Sequence, residues 1–177
     1  CVLAATFLSS CGDASKGHDS NTLVVLNYGK YIDEAVLDKF REETGIKVKL
    51  EEYESPEEMY TKYKAGSIAY DVICTSDYMV EKLINEGEVN KINFDHFTYY
   101  DNLDPEILEA SKTFDPDNSY SMPYFYGTLG ILYNTTMVNE DDVDTWNVLW
   151  DDTYKDRIIM QNSVRDSFVP ALRLLDY

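Results

Sequence analysis

Between residues 22 and 87 the chain alternates three short apolar runs with three amphipathic segments, and this rhythm leaves few folds open. Thr22-Leu-Val-Val-Leu-Asn27 is an apolar run bounded by turn chemistry and predicts a buried strand. Asp33 then caps a segment with Val36, Leu37 and Phe40 on one side, closed by Thr44-Gly45, which predicts a helix. Ile46, Val48 and Leu50 alternate with Lys47, Lys49 and Glu51, giving a second strand with one wet face. Ser55-Pro56-Glu57-Glu58 combines capping-box spacing with proline at the first helical position, Met59, Tyr60 and Tyr63 form the inward face, and Gly66 stops the helix. Tyr70-Asp71-Val72-Ile73-Cys74 predicts a third strand, and Asp77 or Tyr78 opens a helix carrying Val80, Leu83 and Ile84 as far as Gly87. A βαβαβα order makes a parallel-rich sheet with covering helices, and ligands of such sheets gather at the carboxyl ends of the strands. Here those ends are residues 27–31 and 75–78, which carry tyrosines and hydroxyls in place of a glycine-rich phosphate loop.

Charge narrows the ligand. The 177 residues hold fifteen Lys and Arg against thirty-three Asp and Glu, a formal net charge of −18. Such a surface repels phosphate backbones and anionic bilayers, which excludes a nucleic-acid partner and makes a cation the natural ligand. Tyrosine supplies fifteen rings beside seven Phe and two Trp, and phenols suit half-wet clefts. Cys1, Cys11 and Cys74 form no CxxC, and His18 and His96 have no ligating or triad spacing, so neither a metal site nor a cofactor motif is present. Cys74, on a predicted buried strand, reads as a small core residue. Asp115, Asp117 and Ser119 are spaced like the start of a calcium loop, yet Tyr120 and Tyr126 stand where an EF-hand needs glycine and glutamate.

The N-terminus has its own pattern. Residues 1–11 are apolar to small and end in Leu8-Ser9-Ser10-Cys11, which resembles a bacterial lipobox with Cys11 as the lipidated residue; residues 12–21 follow as a polar linker. The alternative is the start of a buried strand. Without an initiator Met or a basic leader, the stretch is expected to be the remnant of a longer export signal. Acyl chains contribute about 0.8 kcal/mol per buried methylene, enough when doubled to hold an acidic protein on a membrane. No other run reaches the roughly 18 apolar residues needed to span a bilayer.

Past residue 90 the pattern loosens. Residues 94–103 are aromatic and irregular, Asp104-Pro105-Glu106 opens a short helix, and residues 114–120 are turn chemistry. Residues 122–134 form a β-rich stretch interrupted by Gly127 and Gly130, expected to cross into another lobe. Beyond it, residues 145–150 predict a helix, residues 157–161 a strand, and residues 163–175 a helix that Pro170 should kink or delay.

With these elements in place, four segments carry a family resemblance: Asn27-Tyr28-Gly29-Lys30-Tyr31-Ile32, Glu42-Glu43-Thr44-Gly45-Ile46-Lys47-Val48, Tyr70-Asp71-Val72, and Pro123-Tyr124-Phe125-Tyr126-Gly127-Thr128; residues 146–154 add a fifth. From about residue 23 to 177 the chain resembles the polyamine-binding members of the extracytoplasmic solute-binding proteins, the spermidine/putrescine-binding lipoproteins that serve ABC importers. The resemblance implies a periplasmic-binding-protein-like α/β fold in which two lobes close on the ligand. It implies a first lobe over 22–126 and the incomplete start of a second over 127–177, so that roughly half the cleft is expected to be missing. It further implies putrescine or spermidine as ligand, permease subunits as partners, no cofactor, no catalysis, and a location on the outer face of the cytoplasmic membrane through a lipid anchor, or else in the periplasm.

On matching positions the family's first-loop aromatics fall on Tyr28 and Tyr31, its third-strand loop on Ser76 and Tyr78, and its acidic pair at a second-lobe helix on Ser163 and Asp166. Two positions depart from the family. Tyr28 stands where members commonly have Trp, and Ser163 where they commonly have Asp, which leaves Asp166 as the better carboxylate. Every one of these residues also has a plain structural reading. Tyr28 and Tyr31 can pack over the sheet edge, Tyr78 can be purely structural, Ser76 can cap the next helix, and Ser163 with Asp166 has the spacing of a capping box. Two other functions fit the sequence less well: a binding protein of the same fold for another cation or a sugar, and a hydrolase with two carboxylates about 5 to 9.5 Å apart, for which no residue pair is fixed.

Overall fold

A computed structural model describes residues 21–177; Cys1, Cys11, the rest of the predicted lipobox and the linker as far as residue 20 lie outside the described residues. The described chain divides into two compact units, residues 21–123 and Tyr124–Tyr177.

Unit one follows the alternation. Strand β1 (Thr22–Tyr28), helix α1 (Glu34–Thr44), strand β2 (Lys47–Tyr53), helix α2 (Pro56–Lys64), strand β3 (Val72–Ile73) and helix α3 (Asp77–Asn85) come in that order. Among the described residues the strands form one parallel sheet in the order β2-β1-β3, with Thr22 opposite Lys47, Tyr28 opposite Tyr53, and Leu26 opposite Ile73.

The helix boundaries have local causes. Asp33 accepts the Ala35 N–H at 2.9 Å, and Gly45 closes α1 at φ 72°, a left-handed value that costs glycine little. Ser55 accepts the Glu58 N–H at 3.2 Å while the Glu58 carboxylate reaches back to the Glu54 N–H at 2.9 Å, so the expected capping box closes one residue further out. β3 is shorter than residues 70–74 because the Asp71 carboxylate, in place of a backbone carbonyl, takes the Val24 N–H at 2.7 Å.

Leu26, Tyr53, Met59, Met79 and Leu83 make the core of this unit, with Tyr28, Tyr60, Tyr63, Tyr70, Ile73, Tyr78 and Val89 packed around them. α1 contributes nothing buried, and its apolar Val36 is 57% exposed. Where α2 and α3 end, Lys64 pairs with Glu86 at 3.1 Å and with Glu88, and Lys82 pairs with Glu86 at 3.2 Å. Helix α4 (Pro105–Ser111) is capped by Asp104, which accepts the Glu106 N–H at 2.8 Å.

The chain from residue 122 onward departs from expectation. Residues 122–134 and 157–161 carry strand composition but form no strand among the described residues. An extended segment becomes a strand only when a second strand pairs with it along a ladder, and the ladders among the described residues join only β1, β2 and β3. Residues 145–150 coil as a 3₁₀ turn, Trp146–Trp150, and α5 (Val164–Leu174) runs through Pro170 with its start undelayed. Among the described residues no helix is long and apolar enough to cross a membrane.

Leu26 is fully buried at the centre of the sheet, so Leu26→Ala is expected to destabilise the protein by about 2–5 kcal/mol. Val36→Ala on the exposed side of α1 is expected to change stability by less than about 0.5 kcal/mol. Denaturant midpoints of the two variants check the contrast.

Candidate functional site

The carboxyl ends of β1 and β2 and the loop after β3 converge on Tyr53. Its side chain is buried and its hydroxyl donates to the Cys74 carbonyl. Burial pushes the Tyr53 phenol well above its ordinary pKa, because a phenolate there has lost its water. The Tyr28 ring lies 4.5 Å from that of Tyr53 and 5.2 Å from that of Tyr31.

The short loop between Tyr28 and Tyr31 is held from β2. Gly29 N–H donates to the Tyr53 carbonyl at 3.1 Å and Lys30 N–H to Glu52 Oε1 at 3.2 Å, with Lys30 in a left-handed turn at φ 64°. Left-handed backbone costs a non-glycine residue energy, so these bonds fix the turn that presents Tyr31, which is half exposed.

Tyr78 packs on the same core as Tyr28, and its hydroxyl donates to Glu57 Oε1 at 3.1 Å. Ser76 stands at the N-cap of α3 but does not cap it: its side chain makes no cap bond, and its buried Oγ has no hydrogen-bond partner among the described residues. A serine that only capped would accept a helix N–H. The structure therefore brings the Tyr28 ring against those of Tyr53 and Tyr31, packs Tyr78 on the same core as Tyr28, and sets Ser76 two residues before Tyr78. Burial also raises the Cys74 thiol pKa, as suits a core residue more than a nucleophile.

The other two predicted residues lie in unit two. Ser163 caps α5, its Oγ accepting the Asp166 N–H at 3.4 Å, so this half of the capping-box reading is present. Asp166 also borders a cavity of about 490 Å³ lined mainly by apolar side chains, among them Leu132, Trp146, Ile158 and Met160, with Arg157 and Gln161 as polar members. Pro170, four residues after Asp166 and on the same cavity, has no N–H, which leaves the Asp166 carbonyl without its helical donor.

Sequence reasoning missed Tyr53, Glu52 and Glu57. Strand parity concealed Tyr53: it shares its face of β2 with Lys47, Lys49 and Glu51, while Val48 and Leu50 occupy the other. The available signal was position, since Tyr53 ends a strand of a parallel sheet and such sheets are covered on both faces.

Residues 35–175 match the family described as bacterial extracellular solute-binding protein. The chain is 40% identical over 179 residues to the spermidine/putrescine-binding periplasmic protein of Escherichia coli (strain K12), covering 99% of this chain and 50% of that protein. It is 32% identical to the putrescine-binding periplasmic protein SpuD of Pseudomonas aeruginosa, over 84% of this chain and 42% of the relative. Among solved structures, the spermidine/putrescine ABC transporter substrate-binding protein PotD of Streptococcus pneumoniae is 44% identical with a TM-score of 0.67, covering 76% of this chain and 41% of that one. A Listeria monocytogenes protein, described as a candidate spermidine/putrescine ABC transporter, is 39% identical with a TM-score of 0.81, covering 89% and 48%. The chain thus spans about half the length of the curated relatives it matches.

A group whose folded pKa is raised contributes stability that is full below its unfolded value and fades as pH rises. Stability is expected to fall from about pH 10, the ordinary value of tyrosine, as the unfolded chain ionises while folded Tyr53 stays neutral. Tyr53→Phe should flatten that fall in alkaline denaturation curves, leaving the part due to Tyr63 and Tyr154, raised by Glu88 and Asp142, and to Lys62, Lys64 and Lys82, raised by Glu58, Glu88 and Glu86.

Proposed function

This chain belongs to the bacterial extracellular solute-binding protein family, and we propose that it contributes one wall of an extracytoplasmic receptor for a short polyamine, putrescine or spermidine. The receptor closes two lobes on the ligand and hands it to an ABC importer with no chemistry done on it. The observation that supports this reading is the run of rings Tyr31, Tyr28 and Tyr53 at the strand carboxyl ends, with Tyr78 packed on the same core and Glu52 holding the loop between Tyr28 and Tyr31.

The fit is physical. A desolvated ammonium needs a carboxylate or a ring face, because an unpaired buried charge costs several kcal/mol. A ring face supplies about 0.5 to 2 kcal/mol per cation and also gives the methylenes between the charges a flat apolar wall. The names of the relatives from Escherichia coli and Pseudomonas aeruginosa point to the same ligand class. In this reading residues 22–126 form the first lobe and residues 127–177 open the second, where Asp166 supplies a carboxylate and Ser163 a hydroxyl. Ser76 adds a second hydroxyl to the first-lobe wall, supported by the absence of a capping bond at that position. Permease subunits are the partners, and acylated Cys11 tethers the receptor to the outer face of the cytoplasmic membrane.

Calorimetry on the whole protein is expected to give a putrescine or spermidine dissociation constant in the micromolar range or tighter, about −8 kcal/mol. Absence of heat with every common polyamine ends the proposal. Asp166→Asn should weaken a diamine at least tenfold, about 1.4 kcal/mol, and leave any affinity for neutral sugars unmoved. An unchanged diamine constant removes Asp166 from the site.

A further inference from the structure

Two acidic residues follow Pro56 at the start of α2, and the structure gives them different work. Glu58 completes the capping arrangement through the Glu54 N–H and pairs with Lys62 at 2.8 Å, so the local electrostatics of the helix end are already met. Glu57 takes no part in that arrangement. Its Oε1 lies 3.1 Å from the hydroxyl of Tyr78, a residue on another helix and twenty-one positions away.

We propose that Glu57 is a positioning residue of the ligand site, fixing the plane and depth of the Tyr78 ring by accepting its hydroxyl proton. The inference rests on the polyamine-receptor reading and adds to it a residue that neither the family resemblance nor the sequence singled out.

The geometry supports it in three steps. The half-buried Tyr78 ring packs against the core cluster, and the bond from its hydroxyl to Glu57 adds a point of attachment at the far end of the side chain, on a different helix. A hydrogen bond from a hydroxyl to a carboxylate is about twice as strong as one to a neutral oxygen. Pulling the phenol proton toward an anion also leaves more negative density on the ring, which deepens the attraction of its face for an ammonium. Because Glu57 is exposed, its own charge is screened by water, and its effect runs through Tyr78. A general role in helix-dipole stabilisation predicts something different: loss of helix stability with no selective effect on Tyr78.

The whole protein, labelled with tyrosine carrying ¹³C at Cζ, distinguishes these. Tyr78→Phe assigns the Tyr78 resonance. Glu57→Ala is expected to move that resonance and to weaken putrescine about five- to tenfold. Glu57→Gln, which keeps an acceptor, should bind within about threefold of the parent, and Glu57→Ala combined with Tyr78→Phe should be no weaker than Tyr78→Phe alone. An unmoved resonance, an unchanged constant for Glu57→Ala, or fully additive losses overturns the inference while leaving the receptor reading intact. A parent protein that binds no polyamine overturns the receptor reading itself, and this role with it.

Discussion

The buried phenol of Tyr53 is the constraint from which the arrangement of the first unit follows. Parallel strands end on the same side of a sheet, but nothing in the ladder itself fixes where the loops beyond those ends go. Tyr53 supplies that instruction. It ends β2, its ring meets Tyr28 at the end of β1, and its hydroxyl binds the Cys74 carbonyl just past β3. One side chain thereby ties together three chain segments that are far apart in sequence, and its burial beside Leu26 and Met59 makes the tie rigid. The Tyr28 ring takes its position from that contact, and Tyr31 in turn rests on Tyr28.

What could be read from the amino acids depended on whether a feature was closed within its own segment. The caps of α1, α2 and α4 were legible because Asp33, Ser55 and Asp104 bond to N–H groups two or three residues away. The first two strands were legible because their apolar runs are local. Tyr53 was not, since its partners come from β1 and from the turn after β3, and its strand parity pointed outward. The same limit explains the two stretches that failed as strands. Residues 122–134 and 157–161 have the composition of buried strands, and Leu132 and Ile159 are almost wholly exposed. Composition records what a segment is suited to pair with; pairing itself requires a partner.

Asp115 shows how a motif can carry real chemistry of a different kind. The spacing of Asp115, Asp117 and Ser119 looked like the opening of a calcium loop. Asp115 is instead buried, and its carboxylate accepts the N–H groups of Ser119, Tyr120 and Ser121 and the Ser121 hydroxyl, at 2.9 to 3.1 Å. Backbone donors converge on this oxygen pair in the way that a metal site would have oxygens converge on a cation. The acidic turn is organised around its own aspartate, so the residue pattern that resembles a binding loop is used to build the loop.

Net charge and local geometry act at different ranges, and the difference decides which of them selects a ligand. A charge of −18 raises the concentration of any cation near the surface, but that field is screened beyond about 8 Å at physiological ionic strength and does not distinguish a diamine from magnesium. Ring faces do distinguish them, because a strongly hydrated divalent ion gains little from a phenol whereas an alkylammonium loses little water in meeting one. This chain already uses that contact within itself: the Lys82 ammonium sits 4.6 Å from the Tyr60 ring centroid and that of Lys64 5.5 Å away. Those lysines carry alkylammonium groups chemically equivalent to the end of a polyamine. In the receptor proposed above, the Tyr28, Tyr31 and Tyr78 rings offer a ligand the same interaction the fold employs where α2 and α3 end, and selectivity follows from how rigidly the rings are held.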